Sequence, residues 1–536
     1  MEQYARLTNG DGAITIKDIR QPFSNFKYIE DNFGGIPSLR RTFSQVRRHE
    51  GQTMVVELLD DSVDIVQENE DIRDVSPRFV SSKVTRLSFF KKPFKYSADI
   101  ANLTNSDFIG YTIIKSDNSP EEYQKTRIYE SIIRTSRHAN NCIRGLQDWP
   151  CKVHNKIFTV PGYIYAQQNG LTCRCCHVAL RTILNRFCED SEISYRRMNE
   201  LVMDYRTATN NTNRPTNTIY ADEVCYILDQ IGISYYFEDY SRPIHNDIPF
   251  QKCIYGSVES GYPSMLIFNV IRLVGIHAIP VFGHTFNEDT WVQRAEYDYF
   301  IVGEGTKYIP SELWVSMYIS HDDNFGSNYC IPRNYLYTRT VCDELNPPNH
   351  VLCEMENNCV QRVLGTLPKE VKVDPIESEV IGYEYLRTIL SQLPQKTNIW
   401  VDRLERNAID SQHILRPVLL TMDQYLSHLK DMRDWDYNGI KAHWHKFWDD
   451  ILLKIKKQYI WMIELSVPEL FPINKRKLGE VIILAEKKAT AERDFMNFVS
   501  SRLPCYFSFY KQGPPDNPEF VFIPSGIDSH VPLYWT

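Results

Sequence analysis

The chain has 536 residues, 43% of them hydrophobic, with a formal net charge of -8 and a pI near 6.0. It is too long for one ordinary domain and apolar enough to bury two or three cores. The acidic balance, without a long run of Lys and Arg, argues against nucleic acid or an anionic membrane as a general partner.

The opening stretch, "MEQYARLTNGDGAITIKDIRQ", has neither a basic start nor an apolar core and does not read as a secretory signal. Residues 1–148 mix short β-type runs ("TMVVELL", "DFIGYTIIK") with turn and charge clusters, ending in the polar stretch "RIYESIIRTSRHANNCIRG"; they read as an α+β accessory domain. Residues 149–345 then run strand, loop, helix. Cys176, Ala179, Leu180, Ile183, Leu184, Phe187 and Cys188 form the stripe of a helix with one buried face. A second helix is predicted in "YADEVCYILDQIGI", with Gly232 placed to end it. Strands follow in "SMLIFNV", "IHAIPVFGH", "YDYFIVG" and "WVSMYIS", so the class is α+β. The most apolar stretch, "PSMLIFNVIRLVGIHAIPVFGH", carries Arg272, His277 and prolines, which fits two buried strands better than a membrane span. Pro347 and Pro348 mark a boundary. Residues 346–536 read as a mixed accessory domain, with amphipathic helices in "HWHKFWDDILLKIKK" and "ATAERDFMNFVSS" around a hairpin in "YIWMIELSVPELFPINKRKLGEVIILAE". Thirteen cysteines without regular spacing suggest free thiols in a reducing compartment, the cytoplasm by default.

The densest chemistry lies in "YIYAQQNGLTCRCCHVALRTILNRF", Tyr163 to Phe187. A zinc site needs four converging ligands, usually in two separated pairs, whereas these cysteines run straight into a helix and point in different directions. A disulfide between such near neighbours on a helix is disfavoured. Cys176 falls on the apolar stripe and packs as a small hydrophobe. Cys173 stands where the loop meets the helix amino terminus, where unpaired amides and the helix dipole favour a thiolate.

Gln167 lies six positions before Cys173, and about a hundred residues later a histidine opens the strand "HAIPVFG". On these residues the segment from about 150 to 335 resembles papain-like cysteine peptidases, and more closely their bacterial relatives that process double-glycine leader peptides. The stretches "GHTFNEDTW", "SELWVSMYIS" and "HDDNFGSNY" also resemble a group of bacterial proteins carrying this core. The resemblance implies a papain-like domain, a helix packed on an antiparallel sheet, acting on a protein or peptide substrate. Cys173 would be the nucleophile, His277 the base, and Asp322 or Asp323 the carboxylate that orients the ring, with Asp289 a weaker alternative. Gln167, or Gln168 after a one-residue shift, would stabilise the oxyanion. His177, His284 and His321 read as structural, with His284 on the opposite face of the strand from His277, and Trp291 and Trp314 as core or cleft wall. No cofactor or metal ion is called for, and oligomeric state is left open. A transglutaminase-like acyl transferase uses the same order of residues. An inactive scaffold is the third reading, with Arg174 beside the nucleophile its one hint.

Overall fold

The computed structural model describes residues 9–20, 26–60, 62–81, 84–119, 123–135, 140–188, 192–215, 217–241, 248–270, 275–287, 300–302, 306–338, 359–394, 399–431, 458–474, 477–486, 497–511 and 519–524. Its elements are mixed α and β, and nearly all strand pairs are antiparallel.

The amino-terminal sheet comprises β1 (Asn9–Asp18), β2 (Thr53–Leu59), β3 (Val80–Ser81), β4 (Val84–Phe90), β5 (Phe108–Ser119) and β6 (Tyr123–Ile133), ordered β1-β2-β4-β5-β3 with β6 also on β5. Between β1 and β2 run α1 (Phe26–Phe33) and α2 (Pro37–Arg48), and α3 (Val63–Val75) follows β2. Ser62 caps α3 by accepting from the Ile65 amide. Alternation along β4 gives each face its own core. Phe89 packs with Phe43 and Val46 of α2, while Phe90 faces Cys151, Val153 and Phe158.

These last residues belong to a hairpin of β8 (Gln147–Val153) and β9 (Lys156–Gly162), preceded by the short β7 (Asn141–Cys142). The central helices are α4 (Cys175–Leu184), α5 (Tyr195–Ala208), α6 (Ala221–Ile231) and α7 (Phe250–Glu259). Gly232 ends α6 at φ 79°, the left-handed conformation that glycine adopts without penalty. The strands are β10 (Ser234–Asp239), β11 (Ser264–Val270), β12 (Gly275–Phe286), β13 (Phe300–Val302), β14 (Thr306–Pro310), β15 (Val315–Asp322), β16 (Gly326–Pro332) and β17 (Val360–Leu367). The central sheet has the order β10-β17-β11-β12-β15-β16, with β7 also on β12. On one face Met265, Ile267 and Ala278 receive Cys176, Ala179, Leu180 and Ile183 of α4. On the other, Leu266, Phe268, Ile279 and Val281 receive Cys253, Ile254 and Val258 of α7.

The third sheet is formed by β18 (Ile414–Thr421), β19 (Tyr459–Ser466), β20 (Gly479–Leu484), β21 (Phe498–Leu503), β22 (Tyr506–Lys511) and β23 (Glu519–Pro524), with β13 and β14 at its start. The helix α8 (Pro375–Gln392) lies across it. Gly382 makes this close approach possible, since a Cβ there would stand 2.6 Å from the Ile463 side chain.

Strands cross the sequence boundaries. The hairpin β8–β9 covers the amino-terminal sheet although residues 149–162 read as central. β7, from the stretch read as amino-terminal, pairs with β12. β17, from the stretch read as carboxy-terminal, lies between β10 and β11, while β14 leaves the central stretch to pair in parallel with β18. A composition change marks a loop, but sheet membership depends on which open edge a strand reaches, so the divisions at 148 and 345 do not separate the sheets. Two local readings also change. Much of "RIYESIIRTSRHANNCIRG" is β6, whose Ile128, Ile132 and Ile133 are buried. The end of "ATAERDFMNFVSS" is strand β21, because Phe498 to Arg502 pairs with the edge of β20. Pro347, Pro348 and "HWHKFWDDILLKIKK" lie outside the described residues.

Candidate active site

The loop before α4 is tied down by Asn169. Its Oδ1 accepts from the amides of Leu171, Thr172 and Cys173, and its Nδ2 donates to Glu68 of α3. Glu68 in turn holds Lys115 and Arg127, whose charges keep its carboxyl at about 2 against a strong opposing effect of burial. Gly170, at φ 87°, turns the chain and donates to the Cys173 carbonyl. This anchored turn delivers Arg174 as the residue before the helix and Cys175 as its first residue.

Cys173 is therefore not the cysteine at the histidine. Its side chain is wholly buried with Ala166, Val178 and Tyr195, and burial pushes the thiol up to about 12, the opposite of an activated nucleophile. Cys173 lies ahead of the helix in a small buried cluster of its own, whereas Cys175 opens the helix and packs against the cluster that holds Cys176. Cys175 is half-buried, its sulfur 4.0 Å from the Ile276 carbonyl, and its thiol lies close enough to the His277 ring to favour the charged imidazolium.

His277 sits near the start of β12, 6% exposed, with its ring edge-on to Phe268. Its Nε2 stands 3.2 Å from Asp322 Oδ2 and 3.4 Å from Asp323 Oδ1. Burial opposes charge on the ring, but Asp322, Cys175 and Asp323 together outweigh it and hold the imidazolium well above the usual histidine range. Asp322 closes β15, the strand paired with β12, and its other oxygen accepts from the amides of Asn324 and Phe325. The carboxylate is thus aimed by the turn into β16. Asp323 is held differently: Oδ2 is buried without a hydrogen-bond partner, and burial raises its carboxyl to about 6 against the pull of His277. His277, Asp322 and Asp323 present ligand atoms within 4.8 Å of one another, a set that could also hold a metal ion, through the atoms that make the hydrogen bond to the ring.

Of the two glutamines, Gln167 is committed to the scaffold. Its Oε1 accepts from the Ile128 amide and its Nε2 donates to the Asp323 carbonyl, so it does not face a reacting group. Gln168 is half-buried on the same loop, its carbonyl held by Lys125, and its side chain makes no hydrogen bond among the described residues. Arg174 is exposed, and Asp289 and Trp291 lie outside the described residues.

The remaining histidines have other work. His177 is buried, with Nδ1 accepting from the Arg174 amide and Nε2 bonded to Asn199; burial lowers it to about 4, consistent with a neutral ring capping the helix. His321 bonds the Tyr163 carbonyl and the Asn328 amide, and burial lowers it likewise to about 4. His284 departs from strict alternation with His277 because β12 bulges between Val281 and Gly283; the rings touch Tyr255 and Phe268, members of one core cluster. Trp314 is core, packed on Phe471.

No helix among the described residues is long and apolar enough to cross a membrane. The chain matches no known family model, no curated protein and no solved structure.

Proposed function

We propose that the protein is a cysteine peptidase or isopeptidase of papain-like type, acting through Cys175, His277 and Asp322. The reading is carried by one observation: a thiol on the first residue of a buried helix stands beside an imidazole that is hydrogen-bonded to a carboxylate. With Nε2 committed to Asp322, the other ring nitrogen exchanges the proton with sulfur. The Cys175 thiolate attacks the carbonyl carbon of an amide, the oxyanion develops beside the amides of the first helical turn, and His277 protonates the leaving amine. Water then hydrolyses the thioester with His277 as base. Gln168 is the remaining candidate to assist the oxyanion, since Gln167 is committed elsewhere, and Asp323 sets the environment of the ring. The free thiols among the described cysteines fit a reducing compartment such as the cytoplasm.

The test is turnover of a peptide library by wild type, Cys175→Ala and Cys173→Ala, with a labelled amine included to register acyl transfer in place of hydrolysis. The expected result is a loss of at least about 10⁴-fold in Cys175→Ala and little change in kcat in Cys173→Ala. Undiminished turnover in Cys175→Ala would rule the assignment out, and amine incorporation without hydrolysis would make the enzyme a transferase.

A further inference from the structure

A second cysteine, histidine and carboxylate meet away from the first group. Cys142 on β7 and His284 on β12 are directly opposed partners across the strand pair, and Glu259 ends α7 beneath them. Their ligand-capable atoms lie within 4.8 Å of one another. His284 Nε2 stands 2.5 Å from Glu259 Oε2, and the Cys142 sulfur lies 3.6 Å from the same oxygen. His284 Nδ1 is buried with no hydrogen-bond partner among the described residues, in a residue only 1% exposed.

The surroundings argue against a metal. Glu259 Oε1 is taken by the guanidinium of Arg416 from β18, and Arg144 lies 3.2 Å from it, so a dication would face two fixed positive charges. The same charges favour an anionic sulfur. Burial and Glu259 push the Cys142 thiol up, yet His284 and Arg144 more than offset them and the net shift is downward. Burial opposes charge on His284, but Cys142 and Glu259 raise the ring to about 9. Tyr255 of α7, against the His284 ring, completes the titratable groups around the pair. Cys142 itself is half-buried, on the short strand β7 that pairs only with β12 among the described residues.

We propose that Cys142 is a modification site, a reactive thiol oxidised by hydroperoxides with His284 as the proton donor. The sulfur attacks one peroxide oxygen, the O–O bond breaks, and the sulfur gains that oxygen to become a sulfenic acid. The peroxide is reduced by two electrons, and its other oxygen departs as water or an alcohol with the proton from the His284 imidazolium. The site is independent of Cys175 and stands whether or not that residue is catalytic.

The experiment treats the full chain with limiting hydrogen peroxide at pH 6.5, traps sulfenic acid with dimedone, and reads each cysteine peptide by mass spectrometry. Cys142 should be trapped at least about tenfold faster than Cys330, an exposed cysteine, and His284→Gln should erase that advantage. Equal rates at Cys142 and Cys330, or an advantage that survives in His284→Gln, overturns the proposal. If His284→Gln fails to fold, the wild-type pH profile decides. Between pH 6 and 8 the Cys142 rate should rise less steeply than that of Cys330, which should climb nearly tenfold per unit with its thiolate fraction. A Cys142 profile as steep as that of Cys330 overturns the proposal too.

Discussion

Two groups of the same composition, Cys175–His277–Asp322 and Cys142–His284–Glu259, stand on the same strand β12 in different settings. At the first, the carboxylate is held by two backbone amides of a turn, so its remaining charge is directed at the ring. At the second, the carboxylate is the end of a row of buried charges. Glu259 meets Arg416, which meets Glu464, and across β19, β20 and β21 the row continues through Lys477 and Glu480 to Arg502. Arg416 and Glu464 are register partners, as are Glu464 and Glu480, and Glu480 and Arg502. Residue type alone does not make a site. What the carboxylate already binds, and whether the thiol begins a helix, separate a candidate catalytic nucleophile for amides from an oxidisable thiol built into the joint between two sheets.

The largest way to break this contrast is to delete the carboxylate from each group. Glu259→Ala removes the buried carboxylate shared by Arg416, Arg144 and His284 and should cost about 3 to 5 kcal/mol of stability, read from denaturant midpoints. Asp322→Asn should leave stability within about 1 kcal/mol of wild type while lowering kcat roughly 10²-fold, because the ring loses its orienting charge. Equal stability losses in the two variants would erase the distinction.

Asp323→Asn sharpens the contrast within the first group. The folded carboxyl holds its proton up to about pH 6, against an ordinary value of 3.8, so folding takes up a proton between these pH values. Wild-type stability should fall as pH rises from about 4 to about 6, and the asparagine variant should lack that contribution, a relative gain of about 3 kcal/mol at pH 7. Thermal or urea melts across that window would show it. A stability gap between the two proteins that is flat from pH 4 to 7 would contradict this account of Asp323.

The smallest effect concerns the neighbour. Cys173→Ala removes a wholly buried sulfur and should cost on the order of 1 kcal/mol, with kcat close to wild type. A melt unchanged from wild type would mean that the buried cluster with Val178 and Tyr195 tolerates the loss.

Much of this architecture is legible in local pattern. The stripe of α4, the end of α6 at Gly232, strand β11 and the β19–β20 hairpin follow from periodicity and turn residues. The nearness of His277 to Asp322 and Asp323 is legible as the end of one strand beside another. The identity of the facing cysteine is not legible from spacing, because the glutamine six residues before Cys173 draws attention to the wrong thiol. The inward direction of Cys173 does not follow from the helical period, because the residue precedes the helix, and the Asn169 turn that sets where the helix begins depends on Glu68, about a hundred residues earlier. The exchanges of β7, β14 and β17 between sheets are long-range edge pairings, and no local pattern encodes them.

The central claim is tested most directly by asking which cysteine an electrophile finds. The intact protein is treated briefly with a peptide-like epoxide or chloroacetamide and digested with trypsin, which cuts after Arg174 and separates Cys173 from Cys175; fragment ions then separate Cys175 from Cys176. The account predicts an adduct on Cys175 that forms at least about tenfold more slowly in His277→Ala, with Cys173 unmodified. An adduct on Cys173, or labelling of Cys175 indifferent to His277, would contradict it.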